Sequence, residues 1–202
     1  MDITSSGSAV ELRGFLGSVP CFSHMGRSKT YYTFQLIVPR LSGTEDKLNI
    51  VCDAALLGQI EPEERKMLRV FGELRSYNNK SGVGSRLVIY IFAHDISFWD
   101  GEPENSVRLK GTLCKKPQLR TTPLGRDICD LLVAVNRQYG HSDYLPCICW
   151  GRSAVDISGW NVGDLVALDG RIQSRDYIKL VDGQEQTRTA FEVSVAAAEK
   201  QI

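Results

Sequence analysis

Val10-Glu11-Leu12-Arg13-Gly14 returns 97 residues later as Val107-Arg108-Leu109-Lys110-Gly111. At that same offset Phe34 to Arg40 (FQLIVPR) is answered by Leu131 to Arg137 (LLVAVNR), and Leu48-Asn49-Ile50-Val51-Cys52 by Leu145-Pro146-Cys147-Ile148-Cys149. Val70-Phe71-Gly72 is answered by Leu168-Asp169-Gly170 at an offset of 98. One such match is chance, whereas four in register indicate a duplication. A chain of 202 residues has room for two small domains, each with its own core. The repeat places them at 1–99 and 107–202. Asp100-Gly101-Glu102-Pro103-Glu104-Asn105-Ser106, polar and acidic with Gly and Pro, reads as the linker at 100–106.

Within each copy, apolar residues recur with period two or in short β-branched runs, and turn residues separate them. In the second copy this predicts strands near 107–114, 126–138, 143–150, 164–176 and 188–197, with a helical turn over Ser153 to Ser158. In the first it predicts 10–17, 30–40, 47–53, 67–76 and 86–95, with a helical segment from Ala54 to Ile60. The fold class is therefore all-β. Five strands with a short helix between the third and fourth is the content of an OB-fold barrel, so the expectation is two tandem five-stranded OB-fold barrels. A generic β-sandwich is the structural alternative.

A hydrophobic fraction of 43% and a charged fraction of 24% are those of ordinary globular protein, which excludes a disordered or fibrous class. The N-terminal Met1 to Ser8 has neither a basic region nor an apolar stretch, and no apolar run reaches bilayer length, so a cytoplasmic protein without membrane contact is expected. Cysteines fall at 21, 52, 114, 129, 147 and 149 without a C-x-x-C pair, and there are three histidines, so no metal site is expected. Cys52, Cys147 and Cys149 lie in apolar strand-like runs and read as reduced core residues. The sequence contains no phosphate-binding loop, no His-Glu-x-x-His and no Gly-x-Ser-x-Gly, and the Glu61-Pro62-Glu63-Glu64 run reads as a solvated helix end or loop, so neither an enzyme nor a cofactor is expected. Net charge is zero, which weighs mildly against a nucleic-acid ligand. The charge is unevenly spread, however: 11 basic against 13 acidic residues in 1–105, and 13 against 11 in 106–202.

The third strand of the second copy, Tyr144-Leu145-Pro146-Cys147-Ile148-Cys149-Trp150, carries the chemical signal. Side chains alternate, so Tyr144, Pro146, Ile148 and Trp150 share one face while Leu145, Cys147 and Cys149 share the other. The small apolar set faces the core. That leaves two aromatics about 20 Å apart on the opposite face, at ~3.3 Å per residue. In the fourth strand Val166, Leu168, Gly170 and Ile172 form the apolar set and leave Arg171, Gln173, Arg175 and Tyr177 opposite. Guanidinium groups meet phosphate and rings stack on any base, so this face suits a single-stranded nucleic acid. An outward Arg or Tyr alone would be only a solvated strand face. A neighbouring outward Trp needs more explanation than that.

Taken in order, Val107 to Leu113, Pro117 to Gly125, Ala134-Val135-Asn136-Arg137-Gln138-Tyr139, Cys149-Trp150-Gly151-Arg152 and Asp169 to Tyr177 resemble the bacterial single-stranded DNA-binding protein (SSB) family. The resemblance covers nearly all of 107–197. It implies an OB fold and sequence-independent binding of single-stranded DNA in replication, recombination or repair. It also implies base-stacking roles for Tyr139, Tyr144, Trp150 and Tyr177. With the cations of the same copy, the candidate nucleic-acid-binding set is Arg137, Tyr139, Tyr144, Trp150, Arg152, Arg171, Arg175 and Tyr177. Two OB units per chain would let a homodimer present four, as SSB-type proteins commonly do. The family's acidic C-terminal tip has no counterpart in Ala198-Glu199-Lys200-Gln201-Ile202, so recruitment of repair partners is not expected.

The first copy answers Tyr144 with Lys47, Trp150 with Asp53 and Tyr139 with Ser42, and keeps only Tyr77 near the tip of its fourth strand. Its barrel pattern persists and its stacking platform is expected to be lost; Tyr31 and Tyr32 could supply another surface, though packing or an edge is the expected place for them. Two other functions fit the same residues: a replication-restart adaptor resembling the PriB branch of the fold, and an OB-fold protein-interaction module without nucleic acid.

Overall fold

The computed structural model describes residues 7–26, 28–58, 66–81, 85–137, 140–181 and 183–201. Among them, the first half holds β1 (Ser8–Leu16), β2 (Cys21–Gly26), β3 (Lys29–Pro39), β4 (Glu45–Asp53), α1 (Ala54–Leu57), β5 (Met67–Asn78) and β6 (Leu87–Phe98). The second half repeats the series as β7 (Glu104–Leu113), β8 (Gln118–Thr121), β9 (Asp127–Asn136), β10 (Ser142–Trp150), α2 (Arg152–Ser158), β11 (Leu165–Val181) and β12 (Gln184–Lys200). In the first half β1 pairs with both β5 and β3, while β4 runs parallel to β6. In the second, β7 pairs with both β11 and β9, while β10 runs parallel to β12. Each half is thus a closed barrel of five strands with its helix between the third and fourth, the OB arrangement.

Period-two alternation decides what lies inside. Phe34, Leu36 and Val38 of β3, Leu48, Ile50 and Cys52 of β4, and Ile89, Ile91 and Ala93 of β6 are buried. Their intervening neighbours point outward. Leu131, Val133 and Val135 of β9, and Leu145, Cys147 and Cys149 of β10, fill the second barrel in the same way. Burial pushes the Cys52 thiol up to about 11 and the Cys149 thiol up to about 12, so both remain protonated and unreactive at neutral pH.

Two strands were not expected. β2 and β8 are appended at the opposite ends of the strand order, on β3 and β9. All four residues of β8 are exposed, as are five of the six in β2, so neither carries an inside-outside alternation. The bent β5–β6 and β11–β12 ribbons also outrun their expected lengths. Each bends at a bulge, between Phe71 and Gly72 and between Asp169 and Gly170. A Cβ on Gly72 would stand 2.2 Å from the carbonyl oxygen of Phe92, and one on Gly170 would stand 2.3 Å from that of Ser194, so both bulges require glycine.

The expected linker is shorter than 100–106. β7 begins at Glu104, and Glu104, Asn105 and Ser106 pair with Arg13, Leu12 and Glu11 of β1. The backbone polar groups of these residues are taken up by the neighbouring strand, and the two barrels share one continuous sheet. Two buried carboxylates lock the same junction from either side. Asp46, fully buried, accepts from Arg40 (Nε to Oδ2, 2.8 Å) and from the backbone N–H of Ser174 (2.7 Å), and Arg40 also donates to the Ser174 carbonyl. Asp143, 2% exposed, does the same with Arg137 and the backbone N–H of Ser76 (2.5 Å), and Arg137 also donates to the Ser76 carbonyl (2.9 Å). Each barrel lends an Arg–Asp pair to a serine of the other, so the duplication has become a pseudo-twofold interface.

Candidate nucleic-acid interface

Trp150 stands at the end of β10, where Gly151 takes a φ of 61° and turns the chain into α2. Only glycine enters that conformation without strain, and the turn leaves the indole at the rim, 41% exposed. Ile128 of β9 lies directly opposite Trp150, and Arg120 of β8 opposite Ile128, so the appended strand β8 extends the outward face. Across the sheet, β11 contributes Arg171, Gln173 and Arg175 at alternate positions, and β12 contributes Glu192 and Ser194.

These side chains enclose an open groove of about 690 Å³, whose cations are Arg40, Arg120, Arg126, Arg171 and Arg175. Trp150 and Arg126 also line a neighbouring hollow of about 570 Å³, together with Arg152 and Val155. Glu192 on the groove wall and Asp130 behind Arg120 already have partners. Arg120 donates to Asp130 (2.5 Å), which raises the guanidinium's proton affinity further, and Glu192 accepts from Gln173 (2.8 Å). Arg126, Arg171 and Arg175 are exposed to solvent. The result is one indole among exposed guanidinium groups, a combination that holds a polyanion with planar bases and does so without reading sequence.

The expected site residues separate into groups. The structure gathers Trp150, Arg171 and Arg175 in the groove and Arg152 in the adjoining hollow. Tyr144 is exposed, but it lies six residues along β10 from Trp150, and its backbone N–H donates to Ser76 Oγ at the junction. Tyr177 is half-buried on β11 opposite Arg188 and does not line the groove. Tyr139 lies outside the described residues. Arg137 requires a correction: its guanidinium is taken up by Asp143 and the Ser76 carbonyl, with hydrogen bonding to Asp143 as the main cause of its raised proton affinity. In this structure it links the two barrels.

Arg120, Arg126 and Arg40 went unpredicted. Arg120 and Arg126 flank the turn Thr121-Thr122-Pro123-Leu124-Gly125, and a basic residue on each side of a tight turn was the available signal. Arg40 belongs to the other barrel and had none. No group of His, Cys, Asp and Glu able to hold a metal occurs among the described residues.

The profile of the Single-strand binding protein family matches residues 104–200, from the first residue of β7 to the last of β12. That match spans the second barrel, 97 of the chain's 202 residues. Single-stranded DNA-binding protein A of Bacillus subtilis is 36% identical to the chain over 80 residues, covering 36% of this chain and 46% of that protein. The single-stranded DNA-binding protein of Oceanobacillus iheyensis is 33% identical over 100 residues, covering 46% of this chain and 59% of that protein. The chain thus spans about half the length of the curated relatives it matches. The crystal structure of the wild-type single-stranded DNA binding protein from Thermus aquaticus superimposes over 96% of this chain and 93% of its own, with a TM-score of 0.76 at 22% identity. That likeness extends the tandem OB architecture through both barrels of the SSB-type fold. No helix among the described residues is long and apolar enough to cross a membrane.

Proposed function

We propose that this protein binds single-stranded DNA without sequence readout and without chemistry, through the groove of its second barrel. The observation that carries this reading is Trp150, exposed at the groove's rim with Arg120, Arg126, Arg171 and Arg175 around it. A base stacked on the indole brings its phosphates among the guanidinium groups, and release of their counterions makes the complex salt-sensitive. The relatives named above are single-stranded DNA-binding proteins, and the profile of the Single-strand binding protein family matches the second barrel. Titration with labelled oligo-dT at two salt concentrations tests the reading. Binding should weaken at the higher salt, mixed-sequence strands should bind comparably, and duplex DNA should compete poorly because its base faces are hidden. Absence of binding at both salt concentrations would leave a protein-interaction module.

The same reading extends to a homodimer presenting four barrels. Ile178 and Leu180, two residues apart on β11, leave 65% and 69% of their surface exposed on the β11–β12 arm, an apolar pair that a second copy would cover. Light scattering should give a mass above the 22.5 kDa of one chain, and a strictly monomeric protein would end the dimer proposal.

A further inference from the structure

The outward face of the first barrel is not the bare surface that its substitutions imply. His24 of β2 stacks on Tyr31 of β3 with ring centroids 4.8 Å apart and planes 17° from parallel. Tyr31 meets Phe92 of β6 at 5.8 Å, across β4, which lies between their strands. Phe92 meets His94 edge-on at 5.4 Å, and Arg75 of β5 lies 3.9 Å over the Phe92 ring. Tyr77 and Tyr90 form a further pair at 6.0 Å on β5 and β6. None of these rings serves the core, since they alternate with Phe34, Ile91, Ala93 and Leu74, which are buried on the other face.

The electrostatics of the face permit an anionic strand to approach. Asp53 is paired with Lys29 at 2.6 Å. Glu73, 7% exposed, receives Arg75 at 2.9 Å and faces His94 at 3.2 Å. Both acids are therefore matched by cations, and the face presents rings with little net charge. His24 and His94 are exposed and Tyr31, Tyr90 and Phe92 half-buried, so the part of the row left open meets water at a cost unless a ligand covers it.

We infer that the first barrel carries a second contact surface for unpaired bases, moved off β4 and onto His24, Tyr31 and Phe92. The inference rests on the single-strand reading above and adds a site that the second barrel's groove does not contain. It also differs from that groove in kind. Its cations are already engaged, so its contribution comes from stacking and depends little on salt.

The test uses the wild-type protein and an oligonucleotide of about 35 residues carrying 5-iodo-deoxyuridine, long enough to engage two OB units at up to about 16 nucleotides each. After irradiation, adducts are mapped by mass spectrometry. Adducts on His24, Tyr31 or Phe92, in addition to Trp150, support the inference. Adducts at Trp150 alone overturn it and leave the second-barrel function standing, whereas absence of adducts together with absence of binding in the titration sinks both. A Tyr31→Ala/Phe92→Ala variant gives the complementary measurement. It should lose about tenfold in affinity for the long strand, keep its affinity for one of about 8 residues, and keep the wild-type salt slope. Unchanged long-strand affinity, or a reduced salt slope, would count against stacking at this face.

Discussion

Where the second barrel sets Trp150, Arg171 and Arg175 on its outward face, the first sets Asp53, Glu73 and Tyr77 at the equivalent places in the repeat. The strands beneath are superimposable in register, down to the bulges at Gly72 and Gly170. In the second barrel exposed arginines surround one indole. In the first, Asp53 and Glu73 are each paired with a cation and the rings lie on β2, β3, β5 and β6. Inward positions are constrained by packing in both copies, because a core tolerates little change in volume. Outward positions carry no such constraint and have diverged into two surfaces, one cationic and one aromatic.

The largest effect should come from the place where the barrels remain alike, their reciprocal junction. Asp143→Ala strands the guanidinium of Arg137 and the backbone N–H of Ser76, and should cost about 3 kcal/mol in urea unfolding. Asp46→Ala does the same to Arg40 and Ser174. The two costs should match, and a clear inequality would break the pseudo-twofold equivalence.

Trp150→Ala addresses the divergence itself. Loss of one stacked base should cost about 1–3 kcal/mol of binding, roughly tenfold to a hundredfold in Kd at fixed salt, with unfolding unchanged. Tyr144→Ala should cost less, because that ring lies outside the groove at the other end of β10. An equal loss would extend the interface to the junction. Next in size is the ionic term. Arg171→Gln and Arg175→Gln should each flatten the slope of log K against log salt by about 0.7, the single-strand value per phosphate contact. If the slope stayed at the wild-type value, those guanidinium groups would not be phosphate ligands.

How far the sequence reached differs between the two faces for physical reasons. The run from Tyr144 to Trp150 is a half-buried strand, and its alternation alone separates Leu145, Cys147 and Cys149 from the outward set. The repeat likewise pointed to two OB-fold barrels in tandem. Arg137, expected on the binding face, is engaged by Asp143 across the β9–β10 hairpin and by the Ser76 carbonyl of the other barrel, and no local pattern records a contact of the latter span. β2 and β8 escaped because edge strands exposed on both faces show no alternation. The first barrel's rings were partly legible, since Tyr90, Phe92 and His94 alternate along β6 with Ile89, Ile91 and Ala93. The comparison of copies concealed them. None stands at the positions of Tyr144 and Trp150, and of the rings that form the face only Tyr31 was a candidate for another surface.

The smallest effect belongs to Asp53, the residue that stands where the second barrel has Trp150, and it tests whether that position has changed from ligand contact to local architecture. Asp53 caps α1, with Oδ1 accepting the backbone N–H of Ala55 at 3.0 Å, and its other oxygen accepts from Lys29 at 2.6 Å. Hydrogen bonding from Lys29, then from the Ala55 backbone, holds this carboxyl below its ordinary value. A carboxylate with a depressed folded-state pKa contributes stability that is present above its unfolded value, near 4, and is lost as pH falls through the lower folded value. Asp53→Asn retains a capping oxygen and removes only the charge. The variant should therefore be slightly less stable than wild type at neutral pH, and the two should converge below about pH 4 when thermal unfolding is followed against pH. Affinity for oligo-dT should stay close to wild type, since the charge removed was already matched by Lys29 and no ring was lost. A large gain in affinity would mean that Asp53 repels the strand, and that the first barrel's face is an excluded surface rather than a second platform.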